Sequence, residues 1–179
     1  MAFPVSSGAL IVTAELGPED FAWLDGLRRR FYPAERNQVA AHLTLFHALA
    51  PSSERELRDR LADCAAGPAP AARIAGIMDL GGGVAFRVVS DELDAIRDQL
   101  AGGLHGLLTA QDAGGWRPHV TIQNKVAPKA ARELARSLEQ GFQPRPLRIA
   151  GLGLHRYLGG PWEALGVYKF RKPAGAAAS

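Results

Sequence analysis

The chain has 179 residues, of which 47% are hydrophobic and 22% are charged, so it is long enough and apolar enough to bury a core. The formal net charge of +3 permits a phosphate-bearing ligand without indicating a polyanion-binding protein. A single cysteine, Cys64, excludes an intramolecular disulfide and a multi-cysteine zinc site, and it favours a reducing, cytoplasmic location. No apolar run approaches the roughly 18–20 residues that a membrane helix needs, so we expect no membrane partner.

Hydrophobic periodicity and turn residues predict an alternation of strands and helices along the chain. The predicted strands span residues 9–16, 42–49, 73–80, 84–90, 119–125, 145–158 and 162–170. The predicted helices span residues 19–31, 53–66, 92–108 and 128–140. Because hairpins are mixed with helical crossovers, this order predicts an α+β fold with largely antiparallel sheets. We expect one domain over residues 1–172, a flexible tail over 173–179, and a monomer.

A His-x-Thr pattern occurs twice, each time on a predicted strand that a helix follows. It covers His42 to Leu45 (HLTL) in the first half of the chain and His119 to Ile122 (HVTI) in the second. The chain contains only four threonines, and two of them stand two positions after a histidine. The repeat indicates two pseudo-equivalent lobes, each with one copy of the motif.

The spacing of the motif puts its two polar side chains on one face, because alternate residues of a strand point the same way. Imidazole titrates near pH 6.5, so one ring can be neutral while the other is protonated, which is what acid–base chemistry at phosphorus needs. Threonine hydroxyls can donate hydrogen bonds to the phosphate oxygens. We therefore expect His42 and His119 on adjacent central strands, and a pH optimum near roughly 6–7.5.

With Pro118 directly before the second histidine, the paired motifs resemble the two-histidine phosphoesterase superfamily, and within it the bacterial 2′-5′ RNA ligase-like (LigT-like) branch. The resemblance implies two pseudo-symmetric lobes, each a largely antiparallel sheet with helices on its outer side, and an active-site cleft between them. It implies metal-independent work, without a cofactor, on a 2′,3′-cyclic phosphate or 2′-5′ phosphodiester of a nucleotide or RNA end. By motif position, His42 and His119 would be catalytic, and Thr44 and Thr121 would bind the phosphate.

Further side chains on the same predicted faces, beside the second motif or on the late strand are candidates to line the substrate. They are Phe46, Arg117, Gln123, Lys125, His155 and Tyr157. The same alternation places His47 on the face opposite to His42. The run Arg28-Arg29-Arg30 is typical of a solvated helix face.

Two other functions stay open at this point. A two-lobed module could bind a nucleotide or RNA end without turnover, and an enzyme of the same superfamily could act on a cyclic phosphate outside RNA. Two titrating histidines favour an enzyme, because a pure binding module needs only hydroxyls and cations. Neither motif adjoins an acidic residue and no H-E-x-x-H occurs, so we expect no metal site. The direction of the reaction and the identities of base and acid stay open.

Overall fold

The computed structural model describes residues 8–104 and 106–175. Its strands are β1 (Leu10–Leu16), β2 (Leu43–Leu49), β3 (Ala71–Asp79), β4 (Val84–Val89), β5 (His119–Gln123), β6 (Arg145–Tyr157) and β7 (Trp162–Lys169). Its α-helices are α1 (Pro18–Phe31), α2 (Glu54–Ala65), α3 (Asp91–Gly102), α4 (Ala110–Ala113) and α5 (Pro128–Glu139), and 3₁₀ turns lie at Ala34–Arg36 and Pro51–Ser53. Within these residues, no helix has the length and apolar character needed to cross a membrane.

The strands form a seven-stranded sheet in the order β2-β1-β6-β3-β4-β5, and β7 pairs with β6 beside this path. The pairings between these strands are antiparallel. Strand β6 joins two halves, because residues 145–148 pair with β3 and the rest pairs with β1 and β7. We call β1, β2, β7 and the second part of β6 the first lobe. We call β3, β4, β5 and the first part of β6 the second lobe.

The predicted α+β class with antiparallel strands is confirmed, and the two predicted lobes are halves of one continuous sheet. Strand β1 lies inside the sheet and is buried on both faces: Leu10, Val12 and Ala14 on one face are fully buried, and Ile11 and Thr13 on the other are at most 3% exposed. Helix α2 packs on β6 and β7, whereas α1 crosses from the first lobe to pack beside β5 of the second. Each fully buried leucine or valine contributes about 1.5–3 kcal/mol to folding.

The third predicted helix is shorter in the structure than the pattern over residues 92–108 suggests. Helix α3 ends at Gly102, and the short helix α4 follows after a turn. A Cβ atom at Gly103 would collide with the guanidinium of Arg60, so glycine there lets the end of α3 pack against α2. The early end frees the chain to return toward β2, where Asp112 of α4 contacts the strand.

The motif strands β2 and β5 are the two ends of the strand path, and the prediction of adjacent central strands is wrong in this respect. The sheet bends so far that its ends meet, and Cα atoms of β2 and β5 come within 8 Å of each other. His42 directly precedes β2, and His119 is the first residue of β5. The site therefore lies where two strand edges face each other without a shared ladder among the described residues.

The last residues before the predicted tail are bound to the body of the protein. The main-chain N–H of Arg171 donates to the carbonyl of Ala65, with N···O 3.0 Å, and that of Ala69 donates to Lys172, with N···O 2.9 Å. The flexible tail predicted for 173–179 begins directly after these bonds, and residues 176–179 of it lie outside the described residues.

Candidate active site

Two side-chain hydrogen bonds hold the motif strands together. Arg28 of α1 donates from Nη1 to the main-chain carbonyl of Thr121, with N···O 3.0 Å. Trp116, just before β5, donates from Nε1 to the main-chain carbonyl of Thr44, also at 3.0 Å. Each bond runs from the neighbourhood of one motif to the threonine of the other. Together they fix the relative position of two strands that no backbone ladder joins.

Arg28 is only 3% exposed, so its assignment to a solvated helix face is wrong. Its Nε also donates to Asn37 Oδ1 at 2.7 Å, and its guanidinium lies 4.4 Å from the centre of the Tyr32 ring. Leu24, one helical turn earlier, is fully buried. Residues four apart share a helix face, so the position of Leu24 is the sequence signal that could have identified Arg28 as buried.

Both motif histidines hold their Nδ1 atoms in the same way. His42 Nδ1 lies 2.7 Å from the carbonyl oxygen of Ala40, and His119 Nδ1 lies 2.6 Å from that of Arg117. A carbonyl oxygen can only accept, so Nδ1 carries the proton in each neutral ring. The unprotonated Nε2 can then accept a proton or, once charged, donate one.

The surroundings make the two imidazoles unequal. Burial lowers the pKa of His42 to about 4, and the nearby positive charge of Arg28 acts in the same direction. Burial is also the main cause that lowers the pKa of His119 below its ordinary 6.5, and the charge of His47 adds to it. Both rings are therefore neutral at neutral pH, and His42 stays neutral to lower pH.

The motif threonines lie on the ladders beside the two histidines. Thr44 pairs with Thr13 of β1, and Thr121 pairs with Ala85 of β4. Both motif threonines are partly exposed, and neither hydroxyl has a hydrogen-bond partner among the described residues. Each hydroxyl is therefore available to a ligand between the strands.

An acidic and aromatic cluster lies beside His42 on the first lobe. The Trp162 ring centre is 4.6 Å from that of His42 and 5.4 Å from that of His155. His155 Nε2 lies 3.0 Å from the Thr13 hydroxyl oxygen and 3.4 Å from the Glu15 carboxylate. The hydrogen bond with His155 is the main cause that lowers the pKa of Glu15. The predicted lining residue His155 is thus next to the first motif.

Glycine in β6 makes room for this cluster. A Cβ atom at Gly153 would collide with the side chains of Thr13, Glu15 and His155. Tyr157, the other predicted lining residue of β6, is half-buried and pairs with Trp162 at the end of the ladder.

A β-bulge in β2 changes which residues face the site. Thr44 pairs with Thr13, but Phe46 pairs with Val12, so Leu45 is an extra residue between the two pairs. The bulge turns Phe46 into the core, where it is 0% exposed. The prediction that Phe46 forms a wall for the substrate is therefore wrong, because strict alternation ends at the bulge.

His47 follows the same bulge and contacts α4, the short helix that precedes the second motif, although the sequence predicts it on the face opposite to His42. Its Nδ1 lies 3.3 Å from the buried carboxylate of Asp112, which also accepts the main-chain N–H groups of His47 and Ala48. The charge of His47 also contributes to the lowered pKa of His119. Sequence reasoning missed this pair because Asp112 is remote along the chain.

Two predicted lining residues after the second motif do not share the face of His119. A register shift pairs Gln123 with the buried Val84, and Gln123 is itself only 6% exposed. Lys125 lies beyond the end of β5 in the left-handed region, with φ 62°, and is exposed. Lys125 misses that face because the strand ends two residues earlier than predicted, and Gln123, the last residue of β5, misses it because of the register shift.

Two arginines flank His119. Arg117 is exposed and holds the imidazole through its carbonyl, as described above. Arg87 of β4 pairs with His119 in the ladder, so the two side chains share a face, and it is exposed. Sequence reasoning missed Arg87 because only the register of β4 against β5 identifies it.

Two solved structures resemble the chain: TT0787 of Thermus thermophilus, at 18% identity and TM-score 0.63 over 92% of this chain and 98% of that one, and Escherichia coli LigT complexed with 3′-AMP, at 15% identity and TM-score 0.57 over 93% and 100%. LigT complexed with NADP+ matches at 17% identity and TM-score 0.56 over 93% and 100%. At these identities the likeness shows a shared fold.

No curated protein matches the chain. The family model described as the 2′-5′ RNA ligase superfamily matches residues 16–161, a span that includes both His-x-Thr motifs and the strands between them. This family model covers well over half of the sequence, and the likeness in fold to LigT and TT0787 is consistent with it. This chain therefore belongs to the 2′-5′ RNA ligase superfamily, whose members are generally phosphoesterase-like and ligase-like enzymes.

Proposed function

We propose that this protein is a metal-independent phosphoesterase acting on a 2′,3′-cyclic phosphate or a 2′-5′ phosphodiester of a nucleotide or RNA end. The observation that carries the proposal is the matched pair of imidazoles, each with Nδ1 bonded to a carbonyl and Nε2 available. In this proposal His42 and His119 are the catalytic residues, and Thr44 and Thr121 bind the phosphate.

Hydrolysis of a cyclic phosphate forms one P–O bond to water and breaks one P–O bond to a ribose oxygen. A neutral imidazole accepts the water proton at Nε2, and a protonated imidazole gives its Nε2 proton to the leaving ribose oxygen, so protons balance. Because the pKa of His42 is about 4, His42 is neutral at pH values where part of the His119 population is charged. We therefore assign His42 as the base and His119 as the acid.

The other groups of the site serve binding. The hydroxyls of Thr44 and Thr121 donate to non-bridging phosphate oxygens, whose negative charge grows toward the transition state. Trp162 offers an aromatic surface beside His42 on which a nucleobase can stack. That E. coli LigT has been solved with 3′-AMP and with NADP+ supports nucleotides as the first ligands to examine.

The test is a turnover screen in excess EDTA with 2′,3′-cyclic nucleotides, 2′-5′ dinucleotides and RNA ending in a cyclic phosphate. We expect turnover of at least one of these, and its loss in a His119→Ala variant. Activity that disappears on chelation and returns with a divalent ion would contradict the metal-independent mechanism. Tight binding of nucleotides without any turnover would instead indicate a non-catalytic nucleotide- or RNA-end-binding module of the same fold.

A further inference from the structure

The face of the second lobe that carries His119 also carries arginines on three successive strands. Arg87 of β4 pairs with His119. Arg73 of β3 pairs with Val89, two positions along β4 from Arg87. Arg148 of β6 pairs with Ala71, two positions along β3 from Arg73. Paired residues and alternate residues share a face, so the three arginines form a diagonal line that starts beside His119.

This line of arginines is available to a ligand. All three side chains are exposed. In the part of the chain that the structure describes, no carboxylate lies within 4.0 Å of their guanidinium groups, whereas Arg145 on the same strand as Arg148 is paired with Asp20 at 3.4 Å. The residues that the ladders place on this face include no acidic side chain. Two carboxylates reach the main chain at the far end of the line: Glu92 accepts the N–H of Ala71 and Asp20 accepts the N–H of Arg148, each with N···O 2.8 Å. The face therefore carries more positive than negative charge, and its three guanidinium groups are not ion-paired among the described residues.

The spacing suits a chain of anions. Neighbouring strands lie about 4.8 Å apart and two residues of a strand span about 6.6 Å, so successive Cα atoms on the diagonal are roughly 8 Å apart. Long arginine side chains can adapt this spacing to the successive phosphates of an extended strand. Gly76 lies under Arg87, where a Cβ atom would come within 3.2 Å of Nη2, so the guanidinium rests close to the floor of the sheet.

The diagonal leads into a groove of about 1130 Å³ along the middle of β6. Arg148, Lys169 and Arg171 line it, and Gly151 forms part of its floor. The groove also has carboxylates, and these have partners: Glu15 is hydrogen-bonded within the cluster beside His42, and Asp20 is paired with Arg145. A strand that follows the arginines thus continues into a concave, basic channel.

We propose that Arg87, Arg73 and Arg148 form a phosphate track, which binds successive backbone phosphates of a single nucleic-acid strand whose terminal phosphate lies at His119. The proposal rests on the proposed function for the identity of the reacting end. It specifies an oligonucleotide as the preferred ligand over a free mononucleotide. It also specifies that the strand leaves the site on the side of His119, over the arginines of the second lobe.

The test compares two ligands and two matched double variants by binding, which requires no turnover. The ligands are a single-stranded RNA of about eight nucleotides with a 3′-phosphate, followed by fluorescence anisotropy, and adenosine 3′-monophosphate, followed by calorimetry. The track variant is Arg73→Gln/Arg148→Gln. The control is Arg132→Gln/Arg136→Gln, which removes the same charge from exposed positions on α5.

We expect the track variant to lose about tenfold or more in affinity for the RNA near 0.1 M salt, and at least about fivefold more than it loses for the mononucleotide. Each single-strand phosphate contact contributes a slope of about −0.7 to log K against log salt concentration, so the slope should become shallower by about 1.4. Arg87→Gln alone should weaken RNA binding in the same direction, and the control should match the wild type.

Equal RNA affinity in the track variant and the control would overturn the phosphate track, as would equal losses for RNA and mononucleotide. These outcomes are separable from the turnover screen. If the track variant loses RNA affinity but the wild type shows no turnover, the phosphoesterase proposal is wrong and the phosphate-track proposal stands. If the protein turns over cyclic phosphates but both double variants bind RNA like the wild type, the phosphoesterase proposal stands and the phosphate-track proposal is wrong.

Discussion

The two lobes present the same His-x-Thr element with the same Nδ1–carbonyl bond, yet the residue that lies across the ladder from each histidine differs in charge. Glu15, one residue beyond the Ala14–Leu43 pair, lies next to His42 and its charge acts on that ring. The position that corresponds to it on the second lobe, directly across the ladder from His119, is Arg87. One cross-strand position therefore differs in the sign of its charge between two otherwise matching sites.

This difference shows how a pseudo-symmetric scaffold becomes directional. Two identical half-sites would bind a phosphate in either orientation, and neither histidine would be preferred as the base. In the proposed phosphate track, Arg87 beside His119 favours one orientation of the ligand, with its additional phosphates over the second lobe. In the proposed mechanism, the unequal pKa values of the two rings make His42 the base and His119 the acid.

The largest expected effect comes from removing either imidazole. We expect His42→Ala and His119→Ala each to lower kcat/KM by about 10²–10⁴-fold, the usual contribution of one positioned acid or base. The double variant should be far less than multiplicatively worse, because both rings act in one transition state. Steady-state kinetics on a cyclic nucleotide measure this, with circular dichroism as the control for folding. A His119→Ala variant with full turnover would contradict the mechanism.

Removing the hydroxyls tests whether the half-sites share the phosphate. Thr44→Ala and Thr121→Ala should each lower kcat by roughly 10–10³-fold, since each hydroxyl bond strengthens as charge develops on the phosphate. Similar losses in the two variants would show that the half-sites contribute equally to phosphate binding. A variant with unchanged kcat would assign its hydroxyl a purely structural role.

The next prediction concerns Arg28, whose buried side chain joins α1 to the second motif. Arg28→Met leaves the Thr121 carbonyl and Asn37 Oδ1 without their donor, so the free energy of unfolding should fall by about 1–3 kcal/mol. Misplacement of the second motif should also lower kcat/KM by about tenfold. Arg29→Met is the matched control, because Arg29 is 70% exposed, and it should change stability by less than about 0.5 kcal/mol. Equal losses in the free energy of unfolding for the two substitutions, measured by chemical denaturation, would contradict this structural role of Arg28.

The smallest expected effect comes from removing the negative charge of Glu15 in the first lobe. The carboxylate of Glu15 raises the pKa of His42 against the stronger effect of burial. Glu15→Gln should therefore move the acidic limb of the pH–rate profile to lower pH, with less than about a threefold change in the maximum rate. A shift of that limb to higher pH would show that Glu15 acts on His42 mainly through the cluster with His155 and not through its charge.

Local periodicity was sufficient to predict the fold class and the two motifs. Strand and helix order follow from apolar alternation and helical spacing, and a residue two positions after a strand histidine shares its face wherever the strand is regular. The sequence does not show where regularity ends. The bulge at Leu45 turned Phe46 into the core, and the register shift at Gln123 buried that side chain on β5. Bulges depend on how two strands meet, which no single strand records.

Long-range pairings explain the other misses. Arg87 is recognised as a neighbour of His119 only from the ladder register, and Asp112 as a partner of His47 only after α4 has packed on β2. Arg28 differs from these cases, because its buried position follows from the same helical spacing that identifies Leu24 as core. The burial of Arg28 could therefore have been predicted from the sequence, but the run of three arginines suggested an exposed helix face instead.

The most direct test of two unequal imidazoles is the pH dependence of kcat/KM for a 2′,3′-cyclic nucleotide, whose phosphodiester does not titrate in the range of interest. The sequence alone predicts a maximum near roughly pH 6–7.5. Burial lowers both pKa values, so the structure predicts a bell displaced toward acid. The acidic limb should fall near pH 4, as the base His42 becomes protonated. The alkaline limb should fall below pH 6.5, as the acid His119 loses its proton. A flat profile, or a bell centred above about pH 7, would contradict the account.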